Sequence, residues 1–327
     1  MEIKQWMKNI IKFLVSVLFI SLLFFKININ DMKEIMGIVK IRDLCICVGI
    51  YFVSVMLNAV KWSVLLPDLS VFRLLKSCFK AQFYSVVLPG QLFGEVSKVV
   101  DLKGDMRSQG QIISSVVVDK LTALIGTMLV GIVGLIFTEI EVPTALRVLF
   151  AMMLVALILV MISGRLPIVE NMTVSSSYYL WKNAKYKIKC IGKKIYKLYT
   201  AWRNYAGNGS VLFHSVLWGV GNQIVGVFQI WLLSDRMSLD VSYLEYCWIM
   251  PAVSIILLLP VSFGGLGVRE ISLSGFLALF DVRPEKAVVI AMVLLACQIA
   301  AAFVGMITVG YDWIKSSGNK GEEMTKL

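Results

Sequence analysis

Histidine occurs once in this sequence, at His214, which all but excludes a histidine-based metal or catalytic centre. Charge is scarce as well: Asp, Glu, Lys and Arg make up 16% of the 327 residues, against about 25% in average globular usage. No Gly-rich loop of P-loop form is present, so ATP-driven pumping by this chain is not expected. There is no nucleophile-elbow motif and no soluble stretch long enough for a transferase domain. The six cysteines are Cys45, Cys47, Cys78, Cys190, Cys247 and Cys297. Most lie in or beside apolar runs without metal-like spacing, and Cys45-x-Cys47 reads as packing rather than ligation. No catalytic residue, metal or cofactor is therefore expected.

What the chain has instead is apolar length. Residues of the hydrophobic types make up 58% of it, against roughly 45–50% in soluble domains. The fold class is all-α, a polytopic helical membrane protein. A β-barrel is disfavoured because the apolar runs are continuous rather than alternating. Six full spans are expected, at Ile10–Phe25, Leu44–Leu66, Gln111–Phe137, Leu146–Gly164, Val211–Leu233 and Ala287–Tyr311. No small-residue cleavage site follows the first, which is read as a retained helix.

The net charge of +11 is concentrated between spans, as expected for contact with the cytoplasmic leaflet rather than with nucleic acid. The loop at 165–209 has no acid after Glu170 but carries Lys182, Lys185, Lys187, Lys189, Lys193, Lys194, Lys197 and Arg203. That loop is placed in the cytoplasm, and Lys182–Tyr199 is read as a helix lying on anionic lipid. Both termini then fall in the cytoplasm of a cell-membrane protein. The chain reads as one transmembrane domain, 1–327, with half one at 1–164, the loop, half two at 210–315 and a tail at 316–327.

Two segments interrupt the apolar pattern. LPGQLFGEVSKVV at 88–100 and LPVSFGGLGVREI at 259–271 share their spacing. Pro89 to Gly94 and Pro260 to Gly265 are each five residues, and Pro89 to Lys98 and Pro260 to Arg269 are each nine. The apolar runs beside them are too short to cross a bilayer, so both are expected to be re-entrant, the first open inward and the second outward. Together they make an inverted repeat of the kind that frames a transporter's midplane site. Breaks at Pro89-Gly90 and Gly264-Gly265, with Gly94 and Gly267 for close approach or hinging, would expose half-helix N-termini that favour anions. Glu95, Lys98, Arg269 and Glu270 are the candidate headgroup contacts, joined by Asp119 and its neighbour Lys120 in the following span. Ordinary helix breaks with satisfied ion pairs are the plainer alternative.

Other polar stripes sit inside spans. Ser54, Asn58 and Lys61 share a helix face, and Lys61 is read either as avoiding lipid or as marking the interface. Gly219, Asn222, Gly226 and Gln229 share another, which usually means close helix packing. The stretch from Val71 to Lys80 is basic and amphipathic.

At 88–99, Asp119-Lys120 and 260–271 the sequence resembles the lysylphosphatidylglycerol synthase transmembrane-region family, also called flippase-like membrane proteins. The resemblance runs from about Asn58 to Gly310. It implies a lipid flippase related to the flippase half of the multiple-peptide-resistance protein, which is linked to moving lysyl-phosphatidylglycerol between leaflets. Other relatives are fused to glycosyltransferases and are thought to handle polyprenyl-phosphate glycolipids. Here Ser85 stands where relatives often have Asn, and Lys98 and Lys120 stand where Arg is common. Lysine cannot grip phosphate bidentately, so headgroup choice is expected to differ. A soluble aminoacyl-transfer domain like that of the bifunctional relatives is not expected here. The expected substrate is an anionic, aminoacylated or polyprenyl-phosphate-linked membrane lipid. The alternatives are an integral-membrane transferase on lipid-linked substrates, with Glu95 or Asp119 as base, and a membrane anchor for a separate synthase or glycosyltransferase.

Overall fold

The computed structural model describes residues 37–88, 92–103, 109–163, 202–258 and 267–324. The expected span Ile10–Phe25, most of the Lys-rich loop, and Pro89, Gly90, Pro260, Gly264 and Gly265 lie outside the described residues. Among the described residues the regular structure is helical, with no strand. In chain order the helices are α1 (Ile41–Leu65), α2 (Val71–Val87), α3 (Leu92–Asp101), α4 (Gln109–Phe137) and α5 (Thr144–Ser163). They are followed by α6 (Gly209–Arg236), α7 (Tyr243–Leu258), α8 (Val268–Leu277), a 3-10 turn (Ala278–Phe280) and α9 (Pro284–Met324).

α1, α4, α5, α6 and the Pro284–Ile314 part of α9 are long and apolar enough to cross a membrane. About 20 apolar residues at 1.5 Å rise match a bilayer's hydrocarbon core. These five agree with five of the six spans read from the sequence. α2, α3, α7 and α8 have 17, 10, 16 and 10 residues, too few for that thickness.

The chain packs as two compact units, one formed by 1–56, 75–98 and 225–327 and the other by 57–74 and 99–224. In the second, α1 runs antiparallel to α4: the Lys61 ammonium meets the Asp119 carboxylate at 3.0 Å, and Trp62 Nε1 donates to Ser115 Oγ at 3.2 Å. α6 runs parallel to α4. Thr122 and Ser215 share a hydroxyl hydrogen bond of 2.8 Å, and Thr127 Oγ1 donates to Gln223 Oε1 at 3.3 Å. Between those contacts the backbones nearly touch. A Cβ on Gly126 would lie 2.7 Å from Val220 N, and one on Gly219 would lie 3.1 Å from Thr122 O. The stripe that includes Gly219 is thus a packing face, as small residues in lipid-embedded helices usually are. Gly126→Ala is expected to force the two helices apart, at about 1–3 kcal/mol for overpacking. Thermal unfolding of the detergent-solubilised protein checks this, with Gly221→Ala as a neutral control, since nothing lies within 4 Å of that position.

α5 packs on α4 and buries only Phe150 and Met161. Its remaining apolar surface suits contact with lipid. At one end of this unit Leu65, Gln111, Tyr205 and Asn208 line a single cleft, and Tyr205 Oη donates to Leu65 O at 3.0 Å. The C-terminus of α1 and the N-termini of α4 and α6 therefore share that end. The chain between α1 and α4 leaves and returns at one place.

In the other unit, Arg236 and Asp43 approach to 3.9 Å where α6 ends and α1 begins. Gln229 donates to Cys47 O at 3.0 Å and lies 3.4 Å from Cys297 Sγ, which ties α6 to α1 and α9. Phe79 crosses Phe52 edge-on at 5.6 Å. Lys80 is buried and pairs with Asp312, so the basic stretch read as amphipathic turns one of its cations inward.

Candidate functional site

The helices on either side of each interrupted segment, α2 with α3 and α7 with α8, pack as antiparallel pairs. In the first, a Cβ on Gly94 would meet Ala81 O at 2.7 Å and Ser85 Cβ at 3.1 Å. Glycine is therefore what lets α3 lie back along α2. At the open end of that hairpin the Arg73 guanidinium grips Asp101, with one bond of 2.6 Å to the carboxylate and one of 2.7 Å to the carbonyl. In the second, Trp248 near the start of α7 packs edge-on to Phe276 near the end of α8, with ring centroids 5.7 Å apart. Trp248 is held by donating Nε1 to the buried Glu245 at 2.6 Å. α7 thus starts where α8 finishes. Gly267 precedes α8 at φ 80°, a left-handed conformation that strains any residue with a side chain.

Two polar pairs join short helices to long ones. Tyr51 Oη in α1 donates to Gln82 Oε1 in α2 at 3.1 Å. Arg269, in the first turn of α8, donates to Gln298 Oε1 in α9 at 3.3 Å. All four are partly exposed. A permanently charged guanidinium held by a single amide oxygen, among apolar helices, keeps donors that suit an oxyanion such as phosphate.

The other candidate residues fall as follows. Lys98 and Glu95 pair at 3.0 Å within α3, with Lys98 buried and Glu95 partly open. Glu270 is buried on α8. Asp119 is buried and pairs with Lys61 across the α1–α4 interface. The Lys61 side chain is 1% exposed, so it is a core residue rather than an interface marker. Tyr51, Gln82 and Gln298 were not singled out in the sequence. Their only signal is a lone amide or phenol in an apolar run, which many packing residues share.

The family model for the lysylphosphatidylglycerol synthase TM region matches residues 9–305. The chain belongs to that family. No curated protein and no solved structure matches it. Membership in the lysylphosphatidylglycerol synthase TM region family and five membrane-length helices make this a multi-pass membrane protein and fit a lipid-related membrane function.

Proposed function

We propose that the protein is a flippase-like transporter of the cell membrane, moving a lipid with an anionic headgroup between leaflets. The observation that supports this most is the pair of short-helix hairpins in one chain, with Arg269 at the start of α8 bonded to Gln298 near the middle of α9. A broken helix at membrane depth is tolerated where it lines a cavity, and such breaks commonly mark a transporter's midplane site. Arg269 takes the headgroup phosphate, joined by Lys98 and Glu95, while the acyl or polyprenyl chains stay in the bilayer. Asp119 serves chiefly to hold α1 on α4 through Lys61. With the Lys-rich loop in the cytoplasm, both termini lie there too. The α2–α3 hairpin is then re-entrant from the cytoplasmic face and α7–α8 from the outer face.

The test is leaflet exchange of dithionite-quenchable anionic and polyprenyl-phosphate lipids in liposomes holding the purified protein. Wild type is expected to accelerate exchange, and Arg269→Ala and Glu95→Gln to lose most of that acceleration. Arg269→Lys should keep part, because a point charge lacks the bidentate fork. Unchanged exchange in both loss variants would remove the site. Absence of exchange together with a covalently altered lipid would replace transport with transfer chemistry.

A further inference from the structure

Glu270 stands apart from the other acids of the candidate site. It is 8% exposed, and its Oε2 is buried without a hydrogen-bond partner. The neighbouring guanidinium of Arg269 does not cover it, because it is directed to Gln298. α8 packs on α7, α9 and the 3-10 turn, which carries no ionisable side chain. On α7 the titratable groups are Tyr243, Glu245, Tyr246 and Cys247, all in its first turns. Those turns face the far end of α8, where Trp248 meets Phe276, about 9 Å along the axis from Glu270 at 1.5 Å per residue. On α9, Glu285 and Lys286 lie at the same far end, Lys286 bonding Met237 O at 3.1 Å. Cys297 lies mid-helix with Gln229, and Asp312 pairs with Lys80. Among the described residues of these elements, none supplies the cation that a buried carboxylate needs.

An isolated carboxylate is not stable in such surroundings, and the usual remedies are a paired cation, several hydrogen bonds, a metal or a proton. A metal cation asks for several oxygen ligands, whereas a proton needs one. We propose that Glu270 carries a proton while buried and exchanges it with water during the transport cycle, so that lipid movement is coupled to a proton gradient. This rests on the transport reading given above. The step is balanced without any further reactant: the carboxylate takes one proton from the water on one face of the membrane and releases it to the other, and no other bond changes.

Two arms test it on the full-length protein in liposomes. Infrared spectra at neutral pH should show the C=O stretch of a protonated carboxylic acid in wild type. Glu270→Asp should retain such a band and Glu270→Gln should lose it. In the second arm, an imposed pH gradient should speed lipid exchange by wild type and leave Glu270→Gln at its rate without a gradient. Identical carbonyl spectra for wild type and Glu270→Gln would overturn the proposal. So would wild-type exchange that proceeds at one rate with and without the gradient, an outcome that leaves transport itself standing. Absence of exchange with the band present would remove the transport reading and the coupling with it, while keeping the proton on Glu270.

Discussion

Gly305→Ala is expected to cost the protein its native helix packing, more than any other single-methyl addition described here. A Cβ at that position would run into the backbone carbonyl oxygen of Phe79 and lie 2.9 Å from Phe83 Cβ. A flexible side chain could swing away, but a helix carbonyl cannot, so α9 and α2 must separate. Overpacking usually costs about 1–3 kcal/mol, and a clash against backbone belongs at or beyond the upper end. Inside a bilayer the loss is not recovered elsewhere, because helices there are held by close van der Waals packing rather than by the exclusion of water. Gly310→Ala, five residues further along the same helix, meets nothing within 4 Å. It should be neutral or slightly stabilising, since alanine is the better helix former by roughly 0.5–1 kcal/mol. Thermal unfolding in detergent compares the two directly. Equal midpoints for Gly305→Ala and wild type would mean that α2 and α9 do not meet as described.

The buried ion pair of α1 and α4 gives the second large effect. Lys61 and Asp119 side chains are 1% and 4% exposed, 3.0 Å apart, and the ammonium also donates to Asp119 O at 2.6 Å. With so little solvent there is almost no screening to discount. Removing one partner of such a pair leaves an uncompensated buried charge, at about 3–5 kcal/mol. Lys61→Met and Asp119→Leu should therefore each destabilise strongly. The double replacement should recover most of the loss, because apolar side chains of similar volume fill the same space. A double-mutant cycle in thermal or denaturant unfolding measures this. Strictly additive losses would show that the two groups do not act as a pair.

These two effects also mark where the sequence was informative and where it was not. The positions of α1, α4, α5, α6 and α9 were readable because lipid demands long apolar runs. The breaks after α2 and α7 were readable because Pro and Gly punctuate helices wherever they occur. Pairings were not. The sequence shows that Asp119 and Lys120 are neighbours, but not which side chain of another helix Asp119 meets. Its ion pair with Lys61 spans 58 positions. Gly305 and Gly310 look alike in sequence, and only the neighbouring helix distinguishes them. Lys80 belongs to a stretch that reads as a basic surface helix, yet it is buried against Asp312. The polar cluster around Arg269 was half visible: its charge was conspicuous, while Tyr51, Gln82 and Gln298 were single polar residues without a period.

The central claim is that the α2–α3 hairpin enters and leaves the membrane from the cytoplasmic face while α7–α8 enters and leaves from the outer face. Single cysteines at Ser70 and Lys103 flank the first hairpin, and Asp240 and Arg283 flank the second; all four positions are exposed. They would be introduced with Cys45 and Cys190 replaced by serine and labelled in intact cells with a membrane-impermeant maleimide. Asp240→Cys and Arg283→Cys are predicted to label at once, and Ser70→Cys and Lys103→Cys only after the membrane is permeabilised. Labelling of Ser70→Cys and Lys103→Cys from opposite faces would mean that α2–α3 crosses the bilayer, and the inverted pair of hairpins would be contradicted.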